Sequence, residues 1–387
     1  MLGKVYPLII PSKYKDILPD IAGGVGTPRL IYNPEIGEWL LFFTGWINAK
    51  RREIFVANID KNLEIENIRK IISAPPTRDA VNVMYDPWNN GYILLITEGG
   101  VLSIRYLDEN FKEVHGKTIL DGMQDSGTAI LSIMGSYSEE NPNGIIFYPR
   151  KNIVYWHFVK RVDSLDKLSL GEQLIFSRIE NNNDVIDGFR VNDRFGVLVE
   201  YFTDRQNWRS RIAMSGTYID PNIRALSGYL PLAFNDQHSN FGHPSFTTGP
   251  DGKPKVLFSF FLSHAPPFPI EDYSRQWRHE IWVWEPQVDI FDPKTYGVMF
   301  DHALKEDEKV SGIYDLMGAR KIILQVKGKG KIILEESVSV REHLNKNIVE
   351  SKYSFEGDQK IVIEDPLETI RIRSENSGNN VWIIAKY

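Results

Sequence analysis

Asp79, Asp125 and Asp187 each stand directly ahead of an apolar, strand-like run, and Thr27 and His243 hold the comparable positions of two further runs. Carboxylates brought to one place repel one another, so at least one is held protonated above the usual Asp range. That arrangement suits glycosidic cleavage, in which one carboxyl protonates the leaving oxygen and another activates water or attacks. Each Asp could equally cap a turn or accept backbone N–H groups of a neighbouring segment. Arg78 and Arg190 are candidates to bond sugar hydroxyls or neutralise the Asp ring, with a structural salt bridge as the alternative. His243 could hold a water or ion, or be a buried histidine satisfied by backbone. Trp46, Trp208 and Trp277 fall where loops or strand ends are expected, so their faces could stack on a sugar ring. Trp39, Trp282 and Trp284 lie inside strands and read as core.

The elements that must position these residues are strands. Apolar residues at helical spacing are scarce. Short alternating or continuous apolar runs bounded by Gly, Asn, Asp and Pro dominate instead. Examples are Trp39–Thr44, Tyr92–Thr97, Gly144–Tyr148, Gly196–Phe202 and Lys255–Phe260. Each follows a turn that itself follows a shorter apolar run, and a third strand often comes after, as in Arg52–Asn58 and Glu280–Trp284. The comparable positions Thr27, Asp79, Asp125, Asp187 and His243 recur at separations of roughly 46 to 62 residues. A repeat of about 40–50 residues carrying four short strands is a β-propeller blade. Five such units predict a five-bladed β-propeller over residues 1–304. An early strand near Val5–Ile10 is expected to pair with the last blade and cover its edge. In that geometry the five opening positions become neighbours around one axis.

Beyond the charge run at 305–309 the pattern changes. Lys321–Val326, Lys331–Glu335, Lys360–Ile363, Thr369–Arg373 and Val381–Ala385 predict a small C-terminal β-sandwich over 305–387. Lys327-Gly328-Lys329-Gly330 reads as a hairpin turn between its first two strands.

Composition narrows the function classes. The 387 residues carry 45 Lys+Arg against 51 Asp+Glu, a net charge of -6 with no basic tail, which argues against a nucleic-acid partner. The chain has no Cys, so thiolate metal sites, disulfides and Cys nucleophiles are excluded. HExxH, P-loop and GxSxG patterns are missing, and His264 and His279 stand apart, so neither a metal nor a cofactor is expected. No apolar run approaches the ~20 residues of a membrane span. The start, Met1–Ile10, is a poor secretion signal, which leaves compartment open, as oligomeric state is. Aromatics at 12% suit an all-β core or a sugar-stacking surface.

With these residues in hand, the chain resembles the five-bladed propeller glycosidases of the arabinanase and β-xylosidase type, across roughly residues 20–290. The resemblance places the third-blade Asp, which orients the acid, on Asp125. It places the fourth-blade acid, a Glu in a Glu-Gly-Pro motif, on Asp187-Gly188-Phe189. It places the fifth-blade Gly-His motif on Gly242-His243-Pro244-Ser245, followed by the turn Gly249-Pro250-Asp251-Gly252. Arg78-Asp79-Ala80 resembles the second-blade Arg-Asp-Pro of the related invertase-type enzymes. Where that family opens its first blade with a base in Asp-Pro, this chain has Thr27-Pro28. A hydroxyl without an activating neighbour does not deprotonate water at neutral pH. The acid is also one methylene shorter. The resemblance therefore implies one of two activities. In the first, a saccharide is bound in the axial cleft and hydrolysed, with Asp187 as donor, Asp125 as its partner and Asp79 as substitute base. In the second, a glycan is bound without turnover, as in a surface or virion attachment protein.

Overall fold

The computed structural model describes residues 3–14, 16, 24–48, 51–74, 82–87, 89–98, 101–120, 129–132, 142–150, 153–160, 174–178, 184–191, 194–204, 209–217, 223–224, 226–229, 239–263, 277–290, 292, 294 and 297–387. The protein is an all-β, five-bladed propeller followed by strands that pack as a sandwich. Strand β1 (Gly3–Ile9) comes first in the chain but belongs to the last blade. The first blade is β2 (Gly24–Asn33), β3 (Glu38–Asn48), β4 (Arg51–Ile59) and β5 (Ile65–Ala74), paired in that order. The second is β6 (Asn82–Asp86), β7 (Gly91–Glu98), β8 (Val101–Leu107) and β9 (Glu113–Leu120). The third is β10 (Ala129–Ser132), β11 (Pro142–Arg150), β12 (Ile153–Lys160) and β13 (Leu174–Arg178).

The fourth blade runs β14 (Asp184–Val191), β15 (Arg194–Asp204), β16 (Arg209–Thr217) and then β18 (Ser227–Tyr229), passing over the short β17 (Ile223–Arg224). The fifth is β19 (Ser239–Thr248), β20 (Pro254–Ser263) and β21 (Trp277–Pro286). Its fourth strand is β1, antiparallel to β21 with Val5 opposite Trp284, as expected from the N-terminal run. The opening strands contact one another in cyclic order: β2 with β6, β6 with β10, β10 with β14, β14 with β19, and β19 with β2. That ring defines the axis.

Blade stacking explains why the middle strands read as unbroken apolar runs. In β3, Leu41 and Phe43 point one way, into a cluster shared with Leu257, Ile281 and Val283 of the fifth blade. Leu40 and Phe42 point the other way, against Val83, Tyr92 and Leu94 of the second blade. A strand covered on both faces needs apolar residues at every position rather than at alternate ones. Of the tryptophans read as core, Trp284 is fully buried, whereas Trp39 and Trp282 are half-buried. The Trp282 indole N–H donates to Glu280 at 2.8 Å.

The C-terminal strands are β22 (Val298–Leu304), β23 (Ile313–Asp315), β24 (Lys321–Lys327), β25 (Lys329–Ser337), β26 (Val349–Glu356), β27 (Gln359–Glu364), β28 (Thr369–Ser374) and β29 (Asn380–Lys386). One sheet runs β22-β29-β24-β27 and the other β23-β28-β25-β26. Ile322, Leu324, Ile383 and Ala385 of the first meet Ile332, Leu334, Ile370 and Ile372 of the second in a common core. The turn expected at 327–330 is instead a crossover. β24 and β25 belong to opposite sheets, and the Lys329 N–H is taken by Asn379 Oδ1 at 2.9 Å. Gly328 (φ 128) and Gly330 (φ 134) leave room there for Asn379 and Asn376. A short α-helix, α1 (Val340–Leu344), is capped by Ser339. The sandwich is stitched to the fourth blade: β18 pairs with β22 through Ser227 and Phe300, and β17 lies parallel to β23. No helix among the described residues is long and apolar enough to cross a membrane.

Candidate functional site

Two equivalent bulges mark one region of the axis. Gly26-Thr27-Pro28 in β2 and Gly242-His243-Pro244 in β19 each carry a register shift against the neighbouring strand. Thr27 (φ 48) and His243 (φ 50) lie in the left-handed region, which costs a residue with a side chain roughly 1–2 kcal/mol. For the β-branched Thr27 this is a marked outlier. Such strain and such bulges concentrate at functional sites. The Thr27 N–H, released from the β2–β3 ladder, donates to Ser259 Oγ of the fifth blade at 2.9 Å. Thr27 Oγ1 donates to Thr44 Oγ1 at 2.6 Å, and the whole residue is 1% exposed.

Between the bulges lies Arg29, which the sequence did not single out. Its Nη1 donates to the Pro28 carbonyl at 2.7 Å and reaches the Pro244 carbonyl at 3.5 Å, so the carbonyl after each strained residue turns to one nitrogen. Its Nε donates to Asn82 Oδ1 of the second blade at 2.7 Å and stands 3.4 Å from Asp187 Oδ1 of the fourth. Burial lowers the guanidinium below the usual arginine range, and the Asp187 charge opposes that shift. One side chain thus ties together four of the five blades. The signal that could have found it is the repeated Gly-X-Pro, with Arg29 and Ser245 following.

Asp187 sits just after a register shift in β14, opposite Leu198. Its second oxygen accepts the Phe246 N–H of β19 at 2.8 Å. Both carboxylate oxygens therefore face donors supplied by the protein. Of the other residues named from sequence, Arg78, Asp79, Asp125 and Trp208 lie outside the described residues, as does His264. Trp46 lies near the end of β3, its backbone opposite Gly24, and Trp277 opens β21. Arg190 lies further along β14, opposite Phe195 beside the turn into β15. His243 is half-buried within the bulge described above. Among the described residues, no three His, Asp or Glu side chains gather as a metal site.

No family model and no curated relative matches the chain. Among solved structures it is similar to an endo-arabinanase from Bacillus licheniformis, at 9% identity and a TM-score of 0.44, over 67% of this chain and 93% of that one. It is similar to an endo-arabinase from Bacteroides thetaiotaomicron, at 13% identity and a TM-score of 0.42, over 70% of this chain and 97% of that one. A β-fructofuranosidase from Schwanniomyces occidentalis is similar at 9% identity and a TM-score of 0.41, over 94% of each chain.

Proposed function

We propose that this protein binds a saccharide over the axial face of its propeller and does not hydrolyse it. The observation that carries this reading is the state of Thr27. Where the resembled glycosidases have a base, Thr27 is 1% exposed and its hydroxyl is hydrogen-bonded to that of Thr44. Such a group has no route to deprotonating water. Asp187 supports the same reading, because its oxygens are engaged by the Phe246 N–H and the Arg29 guanidinium. A leaving oxygen would have to compete with both. In this reading Asp79, Asp125, Arg78 and Arg190 are hydrogen-bonding partners of sugar hydroxyls. Trp46 and Trp208 supply stacking faces, and His243 shapes the floor of the cleft.

The second reading is hydrolysis, with Asp187 as proton donor, Asp125 as its electrostatic partner and Asp79 as base. The placement of Asp187 beside the axis, against both the first and fifth blades, favours it. A glycan-binding screen run beside a chromogenic-glycoside panel separates the two. Binding without product supports the first reading, and product formation supports the second. We also propose that residues 1–304 and 305–387 are separable units, with β22, which pairs with β29 of the sandwich, on the propeller side of that boundary.

A further inference from the structure

Strand β27 ends its sheet: it pairs with β24 and lies last in the strand order. Natural edges are usually blunted by short length, charged side chains (Lys above all), Pro, a bulge or a covering loop. This one pairs with β24 in unbroken register from Glu364 to Gln359 and contains no Pro. Val362, at its centre, is 44% exposed. Two bonds fix which backbone groups face outward. Asp365 N–H donates to the Arg320 carbonyl at 2.8 Å, and Gly357 N–H donates to the Gly328 carbonyl at 2.8 Å. Backbone groups alternate sides along a strand, so Gln359, Ile361 and Ile363 bond to β24. The N–H and C=O groups of Lys360, Val362 and Glu364 therefore point away from the sheet.

The sequence of this edge is Lys-Ile-Val-Ile-Glu over 360–364. Laid antiparallel on a copy of itself about a two-fold axis at Val362, it is self-complementary. Lys360 then faces Glu364, Val362 faces Val362, and Ile361 faces Ile363. All outward backbone groups in the segment meet partners in this register. Ile361 and Ile363 already pack on the sandwich core, so the pairing extends that core across the axis. Glu364 Oε1 also meets Lys321 within its own sheet at 2.5 Å, but both side chains are substantially exposed and the pair is weak. The opposite end of this sheet, at β22, is the one stitched to the fourth blade.

We infer that β27 is a homodimerisation edge, on which the matching strand of a second copy of this chain docks antiparallel. The partner is fixed by charge complementarity: a shifted register or a parallel approach sets Lys360 and Glu364 against the wrong neighbours, and like charges directly opposite destabilise a strand pair. Edge pairing of this kind buries a small interface, below about 1,200 Å², so the association is of modest strength.

Sedimentation equilibrium on the full chain tests this. The wild-type mass should rise from 44.5 kDa toward twice that value as concentration increases through about 1–100 μM. K360E places acids opposite each other twice and should weaken dimerisation roughly tenfold. The charge swap K360E/E364K should return it to within a few-fold of wild type. V362P removes an outward N–H that the β24 ladder does not use, so it should abolish the dimer while leaving the thermal midpoint near wild type. A wild-type chain that stays monomeric to about 100 μM overturns the inference. So does a dimer indifferent to K360E, or a double variant as weak as K360E alone. Should V362P fail to fold, the charge swap still decides.

Discussion

Arg29 and Asp187 face each other at 3.4 Å across the propeller axis, with side-chain exposures of 3% and 7%. They come from the first and fourth blades, and the cyclic order of the opening strands is what makes them neighbours. Two charges this deep are tolerated because each is also hydrogen-bonded, Arg29 to Asn82 and proline carbonyls, Asp187 to the Phe246 N–H. Removing either takes from the other the opposite charge that stands 3.4 Å away.

Arg29→Met and Asp187→Asn should each destabilise the protein by about 3–5 kcal/mol, the usual cost of breaking a buried pair from one side. The double variant should lose clearly less than the sum, because the two losses share one interaction. Urea unfolding of the four proteins measures this. Strictly additive losses would mean that the two charges do not interact.

Thr27→Asp puts a carboxylate where the resembled glycosidases have their base. The left-handed backbone at φ 48 accepts Asp more readily than Thr, so the variant should fold. It should remain inert on arabinosides and xylosides, since Asp187 stays engaged by Phe246 and Arg29. Recovered hydrolysis would show that the site kept a working acid and lost only its base.

The N-terminal strand is held by a compact polar cluster. Lys255, buried, donates to Asp251 at 2.8 Å and Glu285 at 2.9 Å, and the Tyr6 hydroxyl donates to the same Glu285 oxygen at 2.7 Å. Burial alone would raise the Glu285 carboxyl, but its bonds from Lys255 and Tyr6 outweigh that and hold it below its ordinary 4.5. A carboxyl lowered by folding contributes stability above its unfolded value and loses it as pH falls through the folded one. Burial alone would likewise lower Lys255, yet Asp251 and Glu285 raise it above 10.5, so its share is lost only as pH rises through that raised value. Stability should therefore drop below pH 4.5, and Lys255→Met should lower the plateau and flatten that acid limb. An acid limb unchanged in the variant would contradict the role given to this cluster.

Much of the fold was legible because stacking between blades imposes a pattern that survives in sequence. Runs such as Leu40–Phe43 are apolar at every position since each face meets a different blade. The pairing of β1 with β21 was legible for a different reason: a short strand ahead of the first blade is placed to cover the edge that the last blade would otherwise expose. The crossover at 327–330 was not: a Gly-rich link between two strands looks alike whether it returns to the same sheet or crosses a core. The stitch between blade and sandwich was hidden too, because β17 and β18 are too short to show periodicity. At the site, Thr27 and His243 were recognisable as equivalent, but Arg29 was not. Its importance comes from partners far away in the chain, Asn82, Asp187 and Pro244, which no local pattern announces.

Deleting residues 305–387 should leave a propeller that still unfolds cooperatively, at a lower midpoint than the full chain. Met299, Ala303 and Leu304 of β22 lose their cover in that variant, so it should also bind a hydrophobic dye. Loss of the cooperative transition would argue that the two parts fold only together.

The most direct test of the central claim follows a bound glycan through time. A glycan retained by the wild-type protein on an array is incubated with it at neutral pH, then recovered and weighed by mass spectrometry. The account predicts an intact glycan after prolonged incubation. Recovery of a shortened saccharide with the wild-type protein would contradict the account and establish hydrolysis.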